Sequence, residues 1–440
     1  MHRRFLVIGL ARAGTAMAIA LAKSGAKVHV VDQKAPDQLS MLKEMDSLEA
    51  LGIEVRTAWS GEVDWSEIDV IAASPGVPPR HPTLREAQAK GIPIWSEIEV
   101  AHRISKAPIV AITGTNGKST VTALTYFILK NCGRNAVLCG NIAGSGYQEI
   151  PITTAALKST PDEILVAEVS SYQLEFIDEF RPRACTITNI GEDHIDRHGS
   201  IDIYKATKKR IYENQTPEDF SVVNKLRPET IASEMRARIL FYNGADADIE
   251  VTETHVGGIH VDDLWLPGRH TLDNAAAAWL LARSMGAQDE EIAGAVREFK
   301  GIRNRMELLA VHNGIRFVNN TMCTNPEALR ASIESCRGMI VLIAGGALEA
   351  RNLSPLDRID LDRVRATFLI GKDAQALAPH FPEGSRILED IPQAFAAAME
   401  VAQPGDSVLL APGCKSFDQF EDFIARGETF RTLVHKYIGA

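Results

Sequence analysis

Residues 109–120 read Ile109-Val-Ala-Ile112 followed by Thr113-Gly-Thr-Asn-Gly-Lys-Ser-Thr120. An apolar strand runs straight into a glycine-bearing loop, and a helical pattern begins near Ser119. The glycines let backbone N–H groups face phosphate oxygens, and the positive end of the following helix favours an anion. The loop residues Gly114, Thr115, Asn116 and Gly117 are therefore expected to cradle the phosphates of ATP. Lys118 reaches the outer phosphates, the Ser119 hydroxyl is placed for Mg²⁺, and Thr120 caps the helix or assists. A generic phosphate-loop pattern wants a glycine five residues before Gly117; Ile112 stands there, and Gly114 makes the turn instead.

Upstream, the strand Phe5 to Ile8 leads through Gly9-Leu-Ala-Arg-Ala-Gly14 into an alanine-rich helix and a second strand, Lys27 to Val31, ending at Asp32. This is a βαβ pattern with a near-dinucleotide fingerprint. Its middle glycine is Ala11, so a pyrophosphate cannot approach the backbone as it does in nicotinamide enzymes. A Rossmann-like unit holding a nucleotide-like group at its strand ends and a purely structural turn are both compatible with this pattern. Val70 to Ala73 reads as a further strand entering the turn Ser74-Pro-Gly-Val77, and Ile92 to Ile94 as the last strand of the unit.

Downstream of the loop, the apolar strand Ile164 to Ala167 ends in Glu168, a carboxylate at a strand end as a Mg²⁺ site requires, and equally an ordinary solvated terminus. The strand Ala184 to Thr188 precedes Asn189-Ile-Gly-Glu-Asp-His-Ile-Asp196, whose Glu192, Asp193, His194 and Asp196 suit a metal or phosphate site or a polar turn. The run Lys205 to Arg210 lies in a helical pattern ending near Asn214 and reads by itself as a solvated face. Past the segment Lys300 to Arg305, strands at Ile315 to Val318, Met339 to Ala344, Thr367 to Ile370 and Ser407 to Leu410 alternate with helical patterns. The expected architecture is α/β with three domains: a Rossmann-like domain over 1–105, a central P-loop domain over 106–302 and a second Rossmann-like, doubly wound domain over 303–440.

With 440 residues, 45% of them apolar and 24% charged, the chain can bury several cores. A formal charge of -10 argues against broad nucleic-acid binding. The six cysteines show no CxxC spacing and no signal-peptide pattern opens the chain, which fits reduced thiols in the cytoplasm. The absence of any run of about 18 apolar residues excludes a membrane span.

Thr113-Gly-Thr-Asn-Gly-Lys-Ser-Thr120, Glu168-Val-Ser-Ser-Tyr-Gln-Leu-Glu175, Glu192-Asp-His-Ile-Asp196 and Lys208-Lys-Arg-Ile-Tyr-Glu-Asn214 stand in this order. The combination resembles the Mur ligases, amide-bond-forming enzymes of peptidoglycan precursor synthesis, and the similarity runs over essentially the whole chain. The resemblance implies an ATP-dependent ligase that phosphorylates the carboxylate of a UDP-sugar substrate, UDP-N-acetylmuramoyl-L-alanine, and lets the amine of D-glutamate displace the phosphate. It further implies catalytic roles for Lys118, Glu168, His194 and Lys208. Two Mg²⁺ sites follow from it, one on Ser119 and Glu168, the other on His194 and a carbamylated Lys208. ATP contacts are implied for Asn274, Arg305 and Asn320 as well as the loop. UDP-substrate contacts are implied for Arg12, Ala13, Asp32, Gln33, Lys34, Gly76 and Asn141, and amino-acid contacts for Thr324, Ser416 and Phe423. A monomer closing over small-molecule substrates is the expected working form.

The third segment departs from the family pattern. Where Asp-Ser-Lys-Ala-Thr-Asn is typical, this chain has Asn320-Thr-Met-Cys-Thr-Asn325, and Glu349 stands where a lysine is usual. The lost cations leave Arg351 or Lys415 to meet a dicarboxylate. Three further readings are thereby kept open: a ligase using another amino acid or UDP-sugar acceptor, an ATP-binding partner protein without turnover, and, from the Gly9 turn, a nicotinamide oxidoreductase.

Overall fold

A computed structural model describes residues 3–38, 45–191, 193–264, 269–348 and 353–439. Glu192, Glu349 and Arg351, singled out above, lie outside the described residues.

Three open sheets follow one another along the chain. The first contains strands β1 (Arg4–Ile8), β2 (Lys27–Val31), β3 (Glu54–Arg56), β4 (Val70–Ala73) and β5 (Ile94–Trp95), all parallel, in the order β3-β2-β1-β4-β5. The expected last strand, Ile92 to Ile94, starts two residues later, at Ile94. Gly91, with φ of 71°, ends the preceding helix, and the Ile92 N–H still bonds back to the Ala87 carbonyl, so the chain reaches the sheet only at Ile94.

The central sheet contains β6 (Ile109–Thr113), β7 (Asn135–Gly140), β8 (Glu163–Glu168), β9 (Ala184–Ile187), β10 (Phe220–Asn224) and β11 (Arg238–Tyr242), again all parallel, in the order β11-β10-β9-β6-β8-β7. Every residue of β6 is buried, as an unbroken apolar strand covered by helices on both faces must be. One face carries the helices Lys118–Asn131, Arg269–Ser284 and Asp289–Glu298 in a single core. A small hairpin, β12 (His255–Val256) with β13 (Ile259–His260), packs beside it.

The third sheet contains β14 (Glu307–His312), β15 (Ile315–Asn319), β16 (Ile340–Gly345), β17 (Val364–Ile370), β18 (Arg386–Ile387) and β19 (Ser407–Leu410), in the order β14-β15-β19-β16-β17-β18. β14 pairs antiparallel with β15 through a tight turn at Asn313 and Gly314, both at positive φ, and forms an edge hairpin on an otherwise parallel sheet.

The helix Glu97–Ile104 joins the first sheet to the second and is fastened by Glu99, fully buried. Its carboxylate accepts the backbone N–H groups of Asp178, Glu179 and Phe180 and the Nε–H of Arg103 at 2.5–3.1 Å. The six cysteines are free thiols. Among the described residues no helix is long and apolar enough to cross a membrane.

Candidate functional site

β6 lies between β8 and β9 in the middle of the central sheet, so the loops leaving the carboxyl ends of these strands converge, the place where such folds bind ligands. In register, Ile112 faces Glu168, and Gly140 at the end of β7 also faces Glu168. The phosphate loop needs its glycines. Gly114 sits at φ of 146° and Gly117 at 83°. A Cβ on Gly114 would stand 1.9 Å from Thr188 Oγ1, and one on Gly117 would stand 2.7 Å from the Asn274 side chain. Asn274 is thus brought against the loop.

The loop is held from behind by the segment after β9. The Thr115 N–H donates to the Asn189 carbonyl, the Asn116 N–H to Asn189 Oδ1, and Thr188 Oγ1 to the Asn116 carbonyl at 2.6 Å. Thr115 Oγ1 accepts the Gly191 N–H and lies 3.1 Å from the Tyr204 hydroxyl. Lys118, the first residue of its helix, curls over the loop and donates to the carbonyls of Gly114 and Thr115 at 3.0 and 2.8 Å. Ser119 is buried in the first turn.

Three basic side chains gather around the carboxylate at the end of β8. Lys208, 1% exposed, donates to the Gly114 carbonyl at 2.9 Å and to Thr113 Oγ1 at 3.3 Å. Burial and then the charge of Lys118 pull its amine down to about 7, against Asp193 and Glu168, which favour the ammonium. Lys118 is lowered by burial, supported by Glu168 and opposed by Arg305. Arg305 is also lowered by burial and supported by Glu168, and its Nε is buried without a hydrogen-bond partner among the described residues. Glu168 is 4% exposed; one oxygen accepts the Asn141 amide at 3.1 Å and the other has no partner among the described residues. The unpaired atoms of Glu168 and Arg305 are costly to bury unless a ligand completes them.

His194 follows on the β9 loop in the left-handed region, φ of 52°, uncommon for a residue other than glycine. Its Nδ1 lies 2.9 Å from the Tyr172 hydroxyl and its Nε2 3.4 Å from Asp193, and its ring is exposed. Among the described residues no group of three or more His, Cys, Asp or Glu stands together as a ready metal cage. Of the residues expected to bind metal, Ser119, Glu168 and Lys208 are buried beside the loop, while the His194 ring lies 4.9 and 6.5 Å from those of Tyr172 and Tyr204.

Two clefts gather expected contact residues. One, of about 470 Å³, lies between the central and third domains and is lined by Asn116, Gly117, Thr120, Asn274, Arg305 and Asn320. His270, Ser332 and Ser335 also face it and were not signalled by any motif. The other, of about 480 Å³, lies on the first domain and gathers Arg12, Ala13, Asp32, Gln33, Lys34 and Gly76. Asp32 there accepts the N–H groups of Leu10 and Lys34 at 2.7 and 2.8 Å, so it also fixes the Gly9 turn. Asn141 stands outside this cleft, in a smaller recess that shares Arg12, Ala13 and Pro75 with it and continues to Glu97 and Gln173. Gln173 donates to Glu97 at 2.9 Å and caps its own helix through Ser170.

The third-domain loops after β15 and β19 are adjacent, since the Gly413 N–H bonds to the Cys323 carbonyl. Thr324 is half-buried on the first loop and Ser416 is buried on the second. The Phe423 ring lies against Gly144 of the central domain, where a Cβ would meet it at 3.3 Å. Asn320 is absorbed into the fold: its Oδ1 accepts the Met306 N–H at 3.1 Å and its amide donates to Ser332 Oγ at 2.7 Å, a neutral arrangement where a carboxylate is typical.

A three-domain nucleotide-binding protein with a P-loop at the centre of its middle sheet is the class these features define. The model of the Mur ligase middle domain matches residues 112–282, that of the MurD-like N-terminal domain residues 3–96, and that of the glutamate ligase domain residues 304–414. A UDP-N-acetylmuramoylalanine--D-glutamate ligase of Pelotomaculum thermopropionicum is 36% identical over 452 residues, covering 98% of this chain and 97% of that protein. The enzymes of the same name from Caldanaerobacter subterraneus subsp. tengcongensis, 37% identical with 98% of each chain covered, and from Acidobacterium capsulatum, 35% identical with 100% and 97% covered, agree. The chain belongs to the Mur ligase family. Solved structures share the fold at lower identity: the UDP-N-acetylmuramate-alanine ligase of Thermotoga maritima (TM-score 0.58, 17% identical, 99% and 100% covered) and MurF from Acinetobacter baumannii (TM-score 0.59, 15% identical, 98% and 93% covered).

Proposed function

We propose that the chain joins D-glutamate to UDP-N-acetylmuramoyl-L-alanine at the expense of ATP in peptidoglycan precursor synthesis, acting as a cytoplasmic monomer. Residues 1–105 take the UDP moiety, 106–302 the ATP and 303–440 the amino acid. The reading is carried by full-length similarity to D-glutamate ligases together with the cations Lys118 and Arg305 beside Glu168.

A carboxylate is a poor acyl donor because its negative charge repels nucleophiles and oxide is a poor leaving group. Its oxygen attacks the γ-phosphorus of ATP, the bond to the β-bridging oxygen breaks, and ADP departs, leaving an acyl phosphate. The neutral amine of the amino acid then attacks the acyl carbon, loses a proton, and expels inorganic phosphate. Lys118, Arg305 and the loop N–H groups oppose the charge that gathers on the transferred phosphoryl group. Asn274 fixes the nucleotide and Asn141 the acceptor next to Glu168, while cleft closure keeps water from the acyl phosphate.

The free oxygen of Glu168 and the Ser119 hydroxyl would hold one Mg²⁺ ion, and His194 with Lys208 would hold a second. Lys208 enters that set as a carbamate: its neutral Nζ adds to the carbon of CO₂ and releases a proton, and with its amine lowered to about 7 the neutral form is accessible at physiological pH. Bound Mg²⁺ supplies neutralisation of phosphate charge.

Purified protein incubated with the UDP-sugar peptide, ATP, Mg²⁺ and D-glutamate should release phosphate only when all four are present. Silence with every amino acid offered would remove the ligase reading. Asn320 and Met322 favour one variant of it, a ligase whose incoming amino acid differs from D-glutamate, because the usual aspartate–lysine pair is replaced by neutral groups. An amino-acid panel in the same assay separates the two.

A further inference from the structure

We propose that Arg197 is a positioning residue that couples the UDP-substrate cleft to the His194 loop across the boundary between the first and central domains; this rests on the function proposed above. Arg197 leaves the β9 loop three residues after His194, and its side chain is only 9% exposed. One Nη donates to the Val77 carbonyl at 2.9 Å, next to Gly76 in the turn that lines the UDP cleft. The same Nη and the Nε make a two-point pair with Glu175, at 2.6 and 2.9 Å, and Glu175 is 7% exposed. The guanidinium carbon lies over the Tyr172 ring, 4.0 Å from its centre, and the Tyr172 hydroxyl lies 2.9 Å from His194 Nδ1. A second contact of the same kind, Arg80 Nη1 to the Asp196 carbonyl at 3.5 Å, spans the boundary alongside.

The arrangement has a physical consequence. A planar guanidinium with its donors in a fixed fork cannot shift toward Val77 without moving against Glu175 and Tyr172. Whatever the UDP moiety does to the turn at residues 74–77 is therefore transmitted to the ring that orients His194, and the reverse holds equally. Sites joined in this way have coupled affinities, and the coupling is reciprocal.

The test is a binding cycle, which needs no turnover. The affinity for UDP-N-acetylmuramoyl-L-alanine is measured by calorimetry with and without a non-hydrolysable ATP analogue and Mg²⁺, in wild type, Arg197→Ala and Tyr172→Phe. In wild type the analogue should change the affinity about fivefold or more, the lower end of ordinary coupling. In Arg197→Ala the factor should fall to within about twofold of one. Tyr172→Phe removes only the hydroxyl that meets His194 and keeps the ring under Arg197, so it should reduce the factor with the melting temperature unchanged, which separates lost coupling from a damaged fold. An unchanged factor in both variants, or a wild-type factor of one, overturns the inference and leaves the proposed function standing. Failure of wild type to bind either ligand overturns the proposed function itself.

Discussion

Gly114→Ala tests the reading of the phosphate loop most directly. At φ of 146° the new residue is strained by about 1–3 kcal/mol. Its Cβ would also stand 1.9 Å from Thr188 Oγ1, with the Thr188 nitrogen at 3.1 Å and the Asn189 carbonyl at 3.2 Å behind it. The Thr188 hydroxyl must turn away, surrendering its 2.6 Å bond to the Asn116 carbonyl, worth about 1 kcal/mol. The sum, about 3 kcal/mol, corresponds to a fall of about 6–12 °C in melting temperature for a domain of this size. Nucleotide affinity should fall further than stability, because the Gly114 carbonyl also receives Lys118 and Lys208. Calorimetric titration with the ATP analogue should show at least a tenfold loss, about 1.4 kcal/mol. Adding Thr188→Ala removes the hydroxyl that blocks the Cβ, so the double variant should recover part of the affinity and show clear non-additivity. A Gly114→Ala protein that binds the analogue as tightly as wild type, or a double variant whose losses simply add, would refute the reasoning.

Other perturbations separate the parts of the site. Arg305→Ala leaves the Glu168 end of the cleft short of a cation, and phosphate release should fall about a hundredfold with the fold intact, measured as kcat alongside circular dichroism. Glu97 is 4% exposed and burial raises its pKa above the ordinary 4.5. The folded state therefore holds its proton more tightly than the unfolded chain, and the stability this group gives at low pH is lost as pH rises through the raised value. Glu97→Gln removes that loss, so its gain in melting temperature over wild type should be larger at pH 8 than at pH 5; a pH-independent difference contradicts the assignment. Met322→Lys restores a cation to the third-domain loop, and if D-glutamate is the amine its KM should drop about tenfold through a new charge-assisted contact. No change in KM in a well-folded variant would place the amino-acid carboxylates elsewhere.

Much of the framework was legible because its signals are local. The strands at Lys27–Val31, Val70–Ala73 and Ser407–Leu410 match the sequence reading residue for residue, and the loop at 113–120 declares its chemistry by strand, glycines, lysine, hydroxyl and helix standing together. Ile94–Trp95 was displaced because a helix-ending glycine with its back-bond to Ala87 takes precedence over apolar pattern. Asn135–Gly140 and the antiparallel strand Glu307–His312 carried no distinctive pattern: the first opens on a polar residue, and the second is an edge strand with no fully buried position.

By itself the sequence determined the order of domains, the phosphate loop and the residues able to serve it, since backbone conformation and strand periodicity depend on neighbours a few positions apart. Only the tertiary structure decided which charges share a low-dielectric space. It set Lys118, Lys208 and Arg305 around Glu168 although the four span residues 118 to 305, and it drew the amine of Lys208, which the sequence shows as part of a solvated basic run, down to about 7. It also turned Asn320 inward onto Met306 and Ser332, and Arg197 across a domain boundary onto Val77. Burial and charge proximity are properties of chain segments that meet only after folding, which is why no local pattern carried them.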